Sequence, residues 1–206
     1  MTITQGYATL SEMQSALSIP DGVDDAQLEA SVEAASRWID KLCGRRFYFD
    51  TGVTARLFRP ESTYCCKVDD FGTVTGLIVK TDAGDDLTYE SSWAAADFEL
   101  HPVNGLGPAG QAWPYTEITA VRGLTFPTTY RTCVQVTARW GWPSVPDDIA
   151  MACVRLAAFV FRSKDSPLGV AAFTDLGALR ARTPSVVLDL ITGYEREWAY
   201  GAPMVG

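Results

Sequence analysis

A single histidine, His101, and five cysteines (Cys43, Cys65, Cys66, Cys133, Cys153) with no CxxC spacing leave this 206-residue chain without the ligand set of a zinc site. The cysteine count is odd, and two of the five are adjacent. That is a poor disulfide framework, so buried reduced thiols are expected. No apolar run approaches the roughly 20 residues needed to span a bilayer. Met1–Leu10 also lacks a charged region leading into an apolar core, so the expectation is a chain cytoplasmic at synthesis, with no membrane partner. Positive charge is scarce as well: 17 Lys and Arg against 25 Asp and Glu give a net charge of −8. Such a balance argues against clamping phosphates over a wide face and favours solubility. Apolar residues are what the chain has, at 47% of the sequence with six Trp, eight Tyr and nine Phe, which excludes a disordered chain. A chain of this length fits one domain, or one domain with a large insertion, and buries roughly 70% of its unfolded surface.

The hydrophobic period changes twice. Thr9-Leu10-Ser11-Glu12 has the form of a capping box, followed by Leu10, Met13 and Leu17 on one side and a stop at Ile19-Pro20-Asp21-Gly22. Asp24, with Gln27 three residues on, is a second N-cap candidate. Leu28, Val32, Ala35, Ile39 and Leu42 then step at helical spacing to a C-terminal stop at Gly44. From Arg45 to Trp140 the texture is that of short strands: Thr54 to Phe58, Thr73 to Lys80, Phe98 to His101, Glu117 to Val121 and Cys133 to Arg139. Trp140-Gly141-Trp142-Pro143-Ser144-Val145-Pro146 closes that block. Pro146 to Lys164 then reads as a helix with one apolar row at Ile149, Ala152, Cys153, Leu156 and Val160 and a second at Met151, Val154, Ala158 and Phe161, which predicts burial on two sides. Asp165 to Arg182 has no clear period and reads as a loop or arm. Thr183-Pro184 opens a last helix carrying Val187, Leu190, Ile191, Tyr194 and Trp198. The fold class this predicts is α+β: a mainly helical core of about four helices, from residues 1–44 and 141–206, with a small antiparallel β insertion at 45–140 between helices two and three.

Candidate chemistry is thin. Gly105-Leu106-Gly107-Pro108-Ala109-Gly110 matches GxGxxG, but no βαβ setting surrounds it, so it reads as a β–β loop. His101 has Asp97 and Glu99 nearby, yet alternate residues of a strand do not converge on one imidazole. The acidic doublets Asp24-Asp25 and Asp147-Asp148 suit helix starts, whereas Asp69-Asp70 and Asp85-Asp86 sit in turn-like stretches; none has calcium-loop spacing. Cys65 and Cys66, adjacent in a strand, point to opposite faces. Arg45-Arg46-Phe47-Tyr48-Phe49 is the one basic-aromatic cluster, readable as a nucleic-acid contact or as a helix-to-strand corner with aromatic anchors. No catalytic residue, cofactor or metal is expected.

Tyr7-Ala8-Thr9-Leu10, Leu28-Glu29 through Ala34-Ala35-Ser36-Arg37 to Cys43-Gly44-Arg45-Arg46-Phe47, Trp140-Gly141-Trp142-Pro143 with Val145-Pro146 and Ile149, and Ser166-Pro167-Leu168-Gly169 occur in that order, from about Tyr7 to Glu197. This succession resembles the head-to-tail connector (adaptor) proteins of tailed bacteriophages. The resemblance implies a non-enzymatic virion protein, assembled in the host cytoplasm. Such a protein forms a ring, of twelve copies in the family pattern, beneath the portal protein, extends the DNA channel and presents a docking surface to the next neck or tail completion protein. Genomic DNA would pass through without sequence-specific binding. The long β block departs from the minimal, nearly all-helical relatives. Leu168, Phe173, Leu176, Tyr194, Trp198 and Tyr200, on the arm and last helix, are the candidate partner-interface residues; the competing reading folds them back on their own core. The alternative function is a small ligand-binding or hydrolytic protein using the β block.

Overall fold

The computed structural model describes residues 3–19, 21–108, 110–129, 131–163 and 183–196, together with the backbone of 170–174 and 177–180. The chain divides into two compact units, residues 1–47 with 145–206, and residues 48–144.

The first unit is helical. Helix α1, Leu10–Leu17, is opened by the capping box read from the sequence: Thr9 Oγ1 accepts the Glu12 N–H, and the Glu12 carboxylate takes the Thr9 N–H at 2.7 Å. Helix α2, Asp25–Cys43, presents Leu28, Val32, Ala35, Ile39 and Cys43 to the core, and Gly44 ends it in the left-handed conformation. Asp24 occupies the N-cap position, but its side chain makes no cap bond; Asp25 instead accepts from Gln14 at 2.7 Å. Helix α3, Asp147–Ser163, packs on α2, and α4, Ser185–Ile191, packs on α3 through Val187 and Ile191. The predicted two-sided burial of α3 does not hold, because Met151 stands half in solvent and only Phe161 of the second row is fully covered. Ser36 and Cys153 meet at 3.3 Å where α2 and α3 cross, and Ser36 Oγ also accepts the Tyr7 N–H at 3.0 Å. A small polar contact thus fixes the register of the two main helices and the N-terminal segment.

Residues 48–144 fold as two antiparallel sheets on one core. Strands β1 (Thr54–Phe58), β2 (Cys65–Phe71), β3 (Ile78–Thr81), β4 (Ser91–Trp93), β5 (Phe98–His101), β6 (Tyr115–Ala120) and β7 (Val134–Ala138) pair in the orders β1-β7-β3-β4 and β2-β6-β5. Val134, Val136 and Ala138 alternate with Gln135 and Thr137, so one face of β7 enters the core, where Cys66, Val68, Phe71, Ile118 and Trp140 meet it. Two further strands, β8 (Val170–Thr174) and β9 (Gly177–Arg180), pair antiparallel within the stretch read as a loop.

These sheets overturn the expectation of a mainly helical core with a small β insertion: seven strands with a complete apolar interior fill residues 48–144. The expectation failed on β2 and β4. Strand β2 contains Lys67, Asp69 and Asp70, which read as a turn, yet Asp70 is buried at 6% exposure because Trp142 Nε1–H, 72 residues away, donates to its carboxylate at 3.0 Å. Such a partner is invisible to local pattern. Among the described residues no helix is long and apolar enough to cross a membrane.

Candidate functional site

The Trp140-Gly141-Trp142 run is the best-knit corner of the β-sheet unit. The Gly141 N–H donates to Asp70 O at 2.7 Å, Asp50 N–H donates to Trp140 O at 2.8 Å, and isolated bridges join Gly141 to Phe49 and Trp140 to Phe71. Trp140 Nε1–H donates to Thr54 O at 2.9 Å, and the Arg56 guanidinium lies 4.5 Å above its ring while bonding Asp69 at 2.7 Å. Trp142 packs edge-on against Trp113 at 4.7 Å. Every polar atom named here is engaged in holding the corner, so its work is mechanical.

The helical unit has a comparable knot. Tyr7 donates a very short hydrogen bond to Asp40 and accepts the Phe47 N–H at 2.8 Å, while Arg37 pairs with Asp40 at 2.8 Å. Burial, then the bond to Asp40, pushes the Tyr7 phenol far above its ordinary range. Burial also raises Asp40, against the opposing pull of Tyr7 and Arg37. Phe47 packs edge-on with Tyr7 at 5.7 Å and with Tyr194 at 5.9 Å. Of the basic-aromatic cluster, then, Phe47 is a core anchor, and Phe49 is covered by the Arg139 guanidinium at 3.9 Å.

Of the interface candidates, Leu168, Leu176, Trp198 and Tyr200 lie outside the described residues, and Phe173 is described only as a β8 position paired with Ala178. Tyr194 is buried, with its hydroxyl donating to Asp148 at 3.3 Å, and the next segment is tied down by Arg196 N–H on Cys43 O at 2.8 Å. What α4 does expose is Val186 and Leu188.

The residues behind the ligand-binding alternative are dispersed. His101 ends β5 opposite Glu117, Cys66 faces the core while Cys65 is half-exposed, and the glycine-rich segment joins β5 to β6 as a folded loop, with Gly107 N–H on Gln111 O at 2.8 Å. An open groove of about 450 Å³ beside Tyr7, Glu12 and Glu29 belongs to the helical unit, not to the β block. The sequence reading missed one grouping: oxygens of Asp82, Asp86 and Glu90 lie within 4.8 Å of one another. The four- and eight-residue spacing of these acids was the available signal. Asp82 accepts the N–H groups of Asp86 and Leu87, and Thr88 Oγ1 lies 2.7 Å from both Asp86 and Glu90, so the carboxylates shape the loop after β3.

No protein-family model and no curated protein matches the chain. Among solved structures it is similar to a chain in the neck of an empty gene transfer agent particle reconstructed with C6 symmetry. The identity is 18%, with 98% of this chain and 96% of that chain covered and a TM-score of 0.55. The neck of the native particle, reconstructed with C12 symmetry, gives 18% identity, the same coverage and a TM-score of 0.53. The chain therefore shares its fold with chains in the neck of a gene transfer agent particle.

Proposed function

We propose that this chain is a structural protein of the virion neck: a head-to-tail adaptor that forms a ring beneath the portal, extends the DNA channel and offers the docking surface for the next neck or tail protein. The carrying observation is the match along nearly the full length of both chains to neck structures whose symmetry is six- or twelve-fold. Two supporting features are physical. The polar networks at the Trp140 corner and at Tyr7 are spent on rigidity, as suits a load-carrying part, and the net charge of −8 favours DNA sliding past over DNA being gripped. Arm and C-terminal residues Leu168, Phe173, Leu176, Trp198 and Tyr200, with Tyr194, remain the proposed portal-side contacts, although Tyr194 itself is anchored on Phe47 and Asp148. Native mass spectrometry and negative-stain imaging, with and without the portal protein of the same particle, test the reading. Rings, free or portal-bound, are expected, and a persistent monomer with no affinity for portal refutes it. Because α4 and Tyr194 belong to the core, a truncation aimed at the portal contact should begin after Arg196; removing residues 197–206 should weaken portal binding while leaving the melting of the helical unit in place.

A further inference from the structure

The β-sheet unit carries two exposed patches, one with a single charged side chain and one with none, on different parts of its surface. The first is the outer face of the four-stranded sheet. Register places Ala55, Thr137 and Ile78 in one row, with Leu57, Gln135 and Lys80 in the next. An antiparallel sheet with one face on its core shows polar side chains on the other. Here Leu57 is 48% and Ile78 45% exposed, Ala55 is exposed beside them, and Lys80 is the sole charged side chain in the two rows. The second patch is the loop between β5 and β6. From Pro102 to Thr116 there is no charged residue, and Val103 and Leu106 stand 59% and 48% exposed. This loop is already folded: Trp113 N–H donates to Gly105 O at 2.8 Å, Gly105 N–H to Pro102 O at 3.0 Å, and Leu106 bridges Ala112. A preformed apolar tip docks without the entropy cost of ordering.

A closed ring of identical subunits is held by a heterologous contact, in which one patch of each copy meets a different patch of the next. Copies that each carry a charge of −8 repel one another, so the contact is favoured where their surfaces carry no negative charge. Resting on the ring reading above, we infer that the β5–β6 loop of one copy, led by Val103 and Leu106, docks on the outer sheet face of the next copy around Leu57 and Ile78. The occupant of each patch is thus a second copy of this chain. Burial of these side chains between copies accounts for apolar residues on a solvent face and for the neutral loop in an acidic protein.

The experiment uses the full chain and two variants, Leu57→Glu and Leu106→Asp, followed by native mass spectrometry and sedimentation over a concentration series. Both side chains project from the fold, so circular dichroism and melting should match the parent protein. The parent is expected to assemble into closed rings. Each variant should raise the concentration needed for assembly by about thirtyfold or more, as truncating an interface anchor does. Mixed in equal amounts, the two variants retain one good patch each and should stop at heterodimers. Rings that persist in both variants overturn the inference and leave the ring reading standing, since other surfaces would then close the ring. A parent that stays monomeric both alone and with its portal protein removes both.

Discussion

Replacing Gly141 by alanine tests the mechanical account of the tryptophan corner. Gly141 has φ of +106°, and a Cβ built there would lie 1.9 Å from Tyr48 O, 2.9 Å from the Tyr48 carbonyl carbon and 3.1 Å from Phe49 Cα. All three neighbours are backbone, so no rotamer change relieves the clash. The segment carrying Tyr48 and Phe49 must move away, breaking the Phe49–Gly141 bridge and straining the Asp50 N–H bond to Trp140 O. An alanine forced to positive φ costs about 1–3 kcal/mol. Each backbone bond lost adds about 1 kcal/mol. The sum is about 4 kcal/mol, which for a unit of about a hundred residues lowers its melting temperature by about 15–30 °C. Gly123→Ala is the control: its φ is +79°, and nothing lies within 4 Å of the added Cβ, so only the conformational cost, about 1 kcal/mol, applies. Trp140 and Trp142 flank the position and report unfolding by fluorescence, alongside calorimetry to resolve the two units. A Gly141→Ala protein melting within about 3 °C of the parent would refute the close-approach argument.

Tyr7→Phe removes a buried hydroxyl that serves Asp40 and the Phe47 N–H, and should destabilise the helical unit by about 2–3 kcal/mol in urea unfolding. Thr9→Ala removes the capping box of α1 and should cost about 1 kcal/mol, read as a lower urea midpoint at unchanged slope. Burial raises Cys43 and Cys66 to about 12 and Cys65 and Cys153 to about 11. A thiol whose pKa is raised on folding gives up its proton first in the unfolded chain, so stability should be full below pH 9 and fall as pH climbs toward 11 and 12. Thermal midpoints from pH 8 to 11 check this, and Cys66→Ala should flatten part of the slope.

Elements whose cause is local were legible from sequence. Thr9 with Glu12, the apolar stripe from Leu28 to Ile39, Gly44 as a stop and the alternation of Val134, Val136 and Ala138 each need only a few neighbouring residues to explain them. Elements whose cause is distant were not. Asp70 looks like a turn residue until Trp142 is beside it, and Thr73 to Lys80 reads as one strand although Leu77 N–H bonds Val74 O in a turn and pairing begins only at Ile78. Tyr194 reads from sequence as one of the terminal aromatics suited to a partner contact, and its place against Phe47 and Asp148 depends on chain more than forty residues away in each case. The acidic trio Asp82, Asp86 and Glu90 was missed because the reading looked for doublets, whereas the loop brings together every fourth residue.

The bridge between Phe49 and Gly141 also changes the effective topology of the chain. It brings the two ends of the sheet unit side by side, so an excursion of nearly a hundred residues behaves, for the helices on either side of it in sequence, like a short loop. The connection from Cys43 to Asp147 then shortens from about a hundred residues to the dozen at 44–49 and 141–146, which lowers the entropy cost of closure by about 2 kcal/mol. Once the sheets have formed, α2 and α3 find each other as the two arms of a hairpin would. In sequence, then, the length of the excursion beyond the bridge hardly enters the closure cost that the helices meet.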